Sequence, residues 1–65
     1  MIVFDKLWIV MKEKEVSIYQ LRKEYGIDSK TIQRLRANKH VKTTTLDKLC
    51  NALSCKLEDI IEYVK

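Results

Sequence analysis

The sequence predicts a compact all-α domain of five helices, to which the two chain ends can add a short pair of strands. Apolar residues recur at intervals of three and four, which is the spacing of amphipathic helices. The chain has 65 residues with one glycine and no proline, so helices joined by short turns are favoured over tight hairpins. At this length we expect one domain, residues 1–65, with a small core.

The first helix is predicted from about Asp5, its expected N-cap, to Lys14. Its inner stripe is formed by Phe4, Leu7, Trp8 and Met11. Ile9 and Val10 lie off this stripe, so they either cover the far side of the core or meet a partner subunit. The run Met1–Phe4 is either the lead-in to this helix or a short buried strand.

A second helix, a glycine turn and a third helix come next. Ser17 is the expected cap of the second helix, whose inner side is formed by Ile18, Leu21 and Tyr25. Gly26 should end that helix in a left-handed conformation, and Asp28 should cap the next one. Two helices joined by about three residues form a helix-turn-helix unit. We place the unit at about 17–38 and its second helix at about 28–37.

The second half of the chain predicts two more helices. Thr43–Thr45 offers N-cap candidates, with Asp47 at capping-box distance from Thr44. The fourth helix then follows the apolar stripe Leu46, Leu49, Cys50 and Leu53. A last apolar set (Leu57, Ile60, Ile61 and Val64) forms a short helix, or a helix that runs into a strand. In the second case Glu62–Val64 can pair with Ile2–Phe4.

The net positive charge is concentrated around the third helix. From Ser29 to Leu46 there is no acidic residue, while five residues are basic: Lys30, Arg34, Arg36, Lys39 and Lys42. The formal net charge of the whole chain is +4. Ile32 and Leu35 form an apolar stripe on this helix and leave a polar face opposite. Such a helix suits nucleic acid, because its cations can meet phosphates and its Gln and Arg side chains can read base edges.

At residues 17–38 the spacing resembles the helix-turn-helix of the lambda-repressor/Cro (XRE-type) family, and the likeness extends over roughly residues 7–61. The residues that match its motif are Leu21, Tyr25, Gly26, Ile27, Ile32 and Leu35. Two positions depart from the pattern. Arg22 stands where the family usually has a small residue, and Ile18 stands where it often has glutamine. The resemblance implies a lambda-repressor-like domain that binds DNA in a sequence-specific way, usually as a dimer that regulates transcription.

Individual side chains can be given roles, of which the base-reading ones are implied by the resemblance. Those that match the base-reading positions are Ser29, Lys30, Gln33 and Arg34. The candidates for phosphate contacts are Thr31, Arg36, Asn38, Lys39 and Lys42. A homodimer would be built from apolar residues near the chain ends and on the first helix: Ile2, Phe4, Ile9, Ile61 and Val64.

The sequence shows no motif for metal binding, catalysis or membrane association. Cys50 and Cys55 are most simply small core residues, and His40 stands alone, so we expect no metal and no cofactor. There is no recognisable nucleophile–base pair or phosphate-cradling glycine loop, so we expect no enzyme. No apolar run approaches the roughly 18–20 residues of a membrane span, and no secretory signal is present. We therefore expect a cytoplasmic protein without membrane association.

The sequence thus predicts a regulator, with repression as the expected mode, whose third helix reads the major groove of double-stranded DNA as part of a homodimer. The alternative is an antitoxin-like or anti-regulator module that keeps the fold but binds another protein. A third possibility is non-specific nucleoid or RNA binding, which would lack a dependence on Gln33 and Ser29.

Overall fold

Apolar spacing at three and four residues yields four α-helices, and the two chain ends form a two-stranded sheet. The computed structural model describes residues 1–65. In chain order the elements are β1 (Ile2–Val3), α1 (Asp5–Glu13), α2 (Ile18–Tyr25), α3 (Ser29–Arg36), α4 (Thr43–Leu53), a 3-10 turn (Leu57–Asp59) and β2 (Glu62–Tyr63). None of the helices combines the length and the hydrophobicity needed to cross a membrane.

The predicted fifth helix is wrong, and the alternative in which the chain ends pair is confirmed. Only one 3-10 turn forms after α4, and the N–H group of Lys56, just before this turn, donates to Asp59 Oδ2 at 2.9 Å. Beyond Ile60 the chain is extended, and β2 pairs antiparallel with β1, with Ile2 opposite Tyr63 and Val3 opposite Glu62. The β-branched residues of this segment favour extended backbone, and the ladder supplies hydrogen-bond partners that an isolated short helix would lack.

The caps of the helix-turn-helix unit, α2 and α3, form as predicted. Ser17 accepts a hydrogen bond from the Gln20 N–H at 3.1 Å, and the Gln20 side chain accepts from the Ser17 N–H at 2.8 Å. Gly26 follows α2 in the left-handed region, with φ of 68°. Asp28 then caps α3 by accepting from the Thr31 N–H at 2.8 Å. These contacts fix where both helices begin and where the first one ends.

The predicted caps of α1 and α4 are wrong. The N-cap of α1 is Phe4, and Asp5 is the first residue of the helix. The N-cap of α4 is Lys42, so the threonines lie inside the first turn, and no side chain caps this end. In both helices the observed N-cap lies one residue or more before the predicted one, a difference of the size expected at helix ends.

The core lies between the helices and under the sheet. Its fully buried side chains are Leu7, Leu21, Leu35, Leu49, Leu53 and Ile60. Ile32 and Leu35 belong to this core, so the buried stripe of α3 is tied to α1, α2 and α4. Burying each of these side chains contributes about 1.5–3 kcal/mol before conformational entropy is counted. The core thereby fixes which face of α3 is turned to solvent.

The apolar residues named for a dimer interface differ in exposure. Phe4 is only 3% exposed and belongs to the core, so it is unsuitable for an interface. Ile9 is 59% exposed and Ile2 44% exposed, while Ile61 is half-buried. Val10 is half-buried against the core, which supports a place on the far side of the core for that residue but not for Ile9.

Candidate nucleic-acid interface

Helix α3 divides into a buried stripe and a polar face. Ile32 and Leu35 are 4% and 0% exposed. The opposite face is open to solvent and consists of Ser29, Lys30, Gln33, Arg34 and Ala37. Four of these residues, together with Lys39, line a shallow depression of about 420 Å³. The structure therefore places all four predicted base-reading side chains on one exposed surface.

The N-terminus of α3 is held by Asp28. Hydrogen bonds from the Thr31 side chain and backbone, with the nearby charges of Lys30 and Arg34, lower the pKa of this carboxyl group below its ordinary value of 3.8. The carboxylate is exposed and ionised at neutral pH. It accepts a hydrogen bond from one of the N-terminal N–H groups, that of Thr31, which would otherwise be free to bind a phosphate, and it orients the first turn of the helix.

A groove runs along the α2 side of this face. It has a volume of about 690 Å³, and its lining residues are Tyr19, Arg22, Lys23, Gly26, Ile27, Asp28, Ser29 and Lys30. Lys23 Nζ donates to the Tyr19 hydroxyl at 3.1 Å and lies 5.5 Å from the centre of that ring. Arg22, which departs from the family pattern, is exposed in this groove. Sequence reasoning did not identify Tyr19 or Lys23, because a lone cation on a helix is ordinary.

A second groove runs along the α4 side. It has a volume of about 380 Å³ and combines lysine and arginine side chains with threonine hydroxyls from the start of α4. The cations that line it are Lys30, Arg34, Lys42 and Lys48. Lys48 lies on a different helix and was not predicted, because only folding brings it beside the Gly26 turn, where its Nζ is near the position of an added Cβ. Two basic grooves therefore flank the exposed face of α3.

Arg36 does not share this surface. It is about 200° around the helix from Arg34, and its guanidinium lies 5.9 Å from the centre of the Trp8 ring on α1. This distance is within the range of a cation–π interaction. The structure thus connects Arg36 with the packing of α1 and α3, whereas the sequence suggested a phosphate contact.

Asn38 is also engaged within the fold. Its Oδ1 accepts the Phe4 N–H at 2.8 Å, and its backbone is left-handed with φ of 56°. A sequence pattern could not reveal this contact, because its two residues are 34 positions apart. The other loop candidates, Lys39 and Lys42, are exposed.

The cysteines lie at the far end of α4. Cys50 and Cys55 are half-buried free thiols that pack against the core. Burial, followed by the proximity of Cys50, raises the pKa of the Cys55 thiol. No cluster of three or more His, Cys, Asp or Glu side chains is arranged to hold a metal ion.

The motif, the fold and the exposed polar helix are those of one DNA-binding class, and comparison with known proteins agrees. The family model of the Cro/C1-type helix-turn-helix DNA-binding domain matches residues 6–65, so the chain belongs to this family. Among solved structures it is similar to the crystal structure (form II) of the transcriptional regulator VanUg. The TM-score is 0.88 at 30% sequence identity, over 97% of this chain and 84% of that chain. No curated protein sequence matches the chain significantly.

Proposed function

We propose that the chain is a sequence-specific regulator of transcription that inserts α3 into the major groove of double-stranded DNA. The proposal is based on one observation: the exposed face of α3 presents Lys30, Gln33 and Arg34 between two basic grooves. A major groove about 12 Å wide admits one α-helix, and the phosphate backbones then run along both sides of it. The arrangement of one reading face and two cationic flanks matches that geometry.

The base-reading roles follow from the donors and acceptors of each side chain. Arg34 or Lys30 can donate to the O6 and N7 atoms of guanine, and Gln33 can form a bidentate contact with adenine. Ser29 can donate or accept at the first turn. Each good bidentate contact is worth about 1–3 kcal/mol of discrimination against a wrong base.

The phosphate contacts are assigned to the flanks. On the α4 side we propose Thr31, Lys42 and Lys48, and beyond the end of α3 we propose Lys39. On the α2 side Lys23 joins them, with the Tyr19 hydroxyl beside it. Arg36 and Asn38 are removed from the set because each is engaged elsewhere in the fold.

We further propose a homodimer that binds a two-fold symmetric site. Ile2, Ile9 and Val64 are exposed apolar side chains that a second copy would cover, and Ile61 is half-buried. The two α3 helices would then be about 34 Å apart, one turn of DNA. Repression is the expected mode, because occupying the DNA is sufficient to block another protein. The cytoplasm is the expected location, because the DNA partner lies there.

Selection from random duplex DNA tests the proposal, with wild type and Gln33→Ala compared at near-physiological salt. We expect a palindrome with wild type, and weaker base preference at one position of each half-site with the variant. Folding of both proteins is checked beforehand by circular dichroism. If a folded wild type enriches no sequence, base reading by α3 is wrong.

The second candidate function is a protein-binding module of the antitoxin or anti-regulator kind. An apolar groove of about 330 Å³ lies between the chain ends and the α3–α4 loop, lined mainly by Met1, Ile2, Phe4, Val41, Leu46 and Ile61. Under this alternative, Ile2→Asp abolishes binding of a protein partner, while Gln33→Ala has no effect. Under the proposed function, by contrast, Gln33→Ala weakens the base preference of DNA binding.

A further inference from the structure

The turn that follows α3 has a fixed and unusual backbone. Ala37 is the C-cap, and Asn38 then takes a left-handed conformation with φ of 56°. The Lys39 N–H donates to the Arg34 carbonyl at 2.9 Å, which closes the end of the helix. Because non-glycine residues rarely adopt this conformation, the residue type at position 38 matters. The turn sets the direction in which Lys39 and His40 leave the helix.

The side chain of Asn38 joins this turn to the opposite end of the chain. Its Oδ1 accepts the N–H of Phe4 at 2.8 Å. Phe4 directly follows β1, whose pairing with β2 covers only Ile2 and Val3, so its N–H lies where the ladder has ended. Phe4 is also the N-cap of α1, and its side chain is 3% exposed. Asn38 therefore supplies the hydrogen-bond partner that β2 no longer provides at this position.

Few residue types can satisfy both requirements at position 38. The backbone needs a residue that tolerates the left-handed region, and the Phe4 N–H needs a short side-chain acceptor. Asparagine and aspartate meet both conditions, glycine meets only the first, and alanine meets neither. This difference makes it possible to separate the effect of the backbone from that of the hydrogen bond.

We propose that Asn38 is a positioning residue that couples the terminal sheet to the DNA-binding surface. Through the Phe4 contact, the β1–β2 pair holds the end of α3 and fixes the place of Lys39. Opening the sheet would release this turn and weaken DNA binding, although no sheet residue touches DNA. The effect on DNA affinity rests on the proposed function, whereas the coupling within the protein does not.

The first test compares Asn38→Gly, Asn38→Asp and wild type by amide hydrogen exchange without DNA. Loss of one neutral hydrogen bond should accelerate exchange of the Phe4 N–H about two- to tenfold in Asn38→Gly. Asn38→Asp keeps the acceptor and should exchange within about twofold of wild type. A Phe4 exchange rate that does not change in Asn38→Gly would overturn the proposal. So would equal acceleration in both variants.

The second test opens the sheet from its far end. Val64→Pro removes the bond from the Val64 N–H to the Met1 carbonyl, which is 2.8 Å long, at an exposed position. In wild type we expect this change to shift the Lys39 amide resonance. Because Val64 also belongs to the proposed dimer interface, the decrease in affinity for the selected duplex, about two- to tenfold, is measured with Asn38→Gly instead. In the Asn38→Gly background, Val64→Pro should cause no further shift of the Lys39 resonance, because the connection is already absent.

The outcomes separate this inference from the proposed function. If wild type selects no DNA sequence, the proposed function fails, while Phe4 exchange and the Lys39 resonance still test the coupling. If Asn38→Gly weakens DNA binding but leaves Phe4 exchange unchanged, Asn38 contacts DNA directly and the coupling is wrong. If Val64→Pro and Asn38→Gly have independent, additive effects on the Lys39 resonance, the sheet does not act through Asn38.

Discussion

Arg36 and Lys42 provide a matched pair for testing which basic residues contact DNA phosphates and which stabilise the fold. Both lie in the segment without acids, and sequence reasoning assigns both to phosphates. The structure separates them: Lys42 lines the groove between α3 and α4, whereas the Arg36 guanidinium lies over the Trp8 ring at 5.9 Å. Lys42 is the N-cap of α4 without a side-chain cap bond, so Lys42→Ala removes a charge but no capping interaction.

The expected magnitudes follow from these positions. Removing one phosphate interaction reduces the slope of log affinity against log salt by about 0.9 per protomer. Each such interaction therefore accounts for about 3.5-fold of the affinity lost between 50 and 200 mM salt. Lys42→Ala should show this change and little decrease in stability. Arg36→Ala should leave the slope nearly unchanged and remove a cation–π interaction of about 0.5–1 kcal/mol. That decrease corresponds to a melting temperature lower by about 2–8 °C.

Titration of a labelled duplex at several salt concentrations gives the slopes, and thermal unfolding gives the stabilities. Trp8 is the only tryptophan, so its emission also reports directly on the interaction with Arg36. If Arg36→Ala reduces the salt dependence of DNA affinity as much as Lys42→Ala does, Arg36 binds phosphate, and its assignment to the fold is wrong. Unchanged Trp8 emission and stability in Arg36→Ala would rule out the cation–π role as well.

Three further predictions concern local features of the fold. Gly26→Ala should destabilise the protein by about 1–2 kcal/mol in urea unfolding, because φ is 68° while the nearest atom to an added Cβ is 4.0 Å away. Ser54→Gly should be neutral or stabilising, since Ser54 has a φ of 49°; equal destabilisation by both changes would contradict the role of the left-handed backbone. The folded-state pKa of Asp28 is lowered, so its contribution to stability is present above pH 3.8 and is lost as pH falls through the lower folded value. Acid titration of unfolding should therefore be flatter for Asp28→Asn than for wild type, and identical curves would contradict the assignment. The Cys55 thiol, whose pKa is raised, should react more slowly with iodoacetamide at about pH 8 in folded than in urea-unfolded protein, and equal rates would contradict its burial.

The structure could be predicted from the sequence wherever one short segment determines it. Ser17, Gly26 and Asp28 act on residues within a few positions of themselves, so the limits of α2 and the start of α3 follow from residue type. The buried stripe of α3 follows from spacing alone. The polar face opposite it could therefore be predicted before any tertiary interaction was known.

The ends of α1, α3 and α4 were predicted at about the right residue, but the left-handed residue that closes each of these helices was not. Left-handed residues follow α1, α3 and α4 at Glu15, Asn38 and Ser54. In each case the next residue donates its N–H to the carbonyl five positions earlier, at 2.9, 2.9 and 3.2 Å respectively. This geometry satisfies the last carbonyl groups of a helix. Gly26 is the one position at which a left-handed end was predicted from the residue type.

The remaining features depend on interactions between distant segments. Spacing at Leu57, Ile60, Ile61 and Val64 fits a helix as well as it fits a turn followed by a strand, and the choice is made by pairing with β1. Likewise, nothing near Arg36 or Asn38 in the sequence indicates Trp8 or Phe4. Both residues resemble phosphate-binding positions because the acid-free segment continues through them.

The most direct test of major-groove reading by α3 uses the selected duplex with 7-deazapurines in place of its purines. This replacement removes the N7 acceptors of the major groove while base pairing is retained. If α3 reads base edges there, each bidentate contact loses one of its two hydrogen bonds, and wild-type affinity falls about two- to tenfold per contact. Gln33→Ala should then be insensitive to the replacement at the adenine position. Unchanged wild-type affinity for the substituted duplex would show that α3 does not read purines in the major groove.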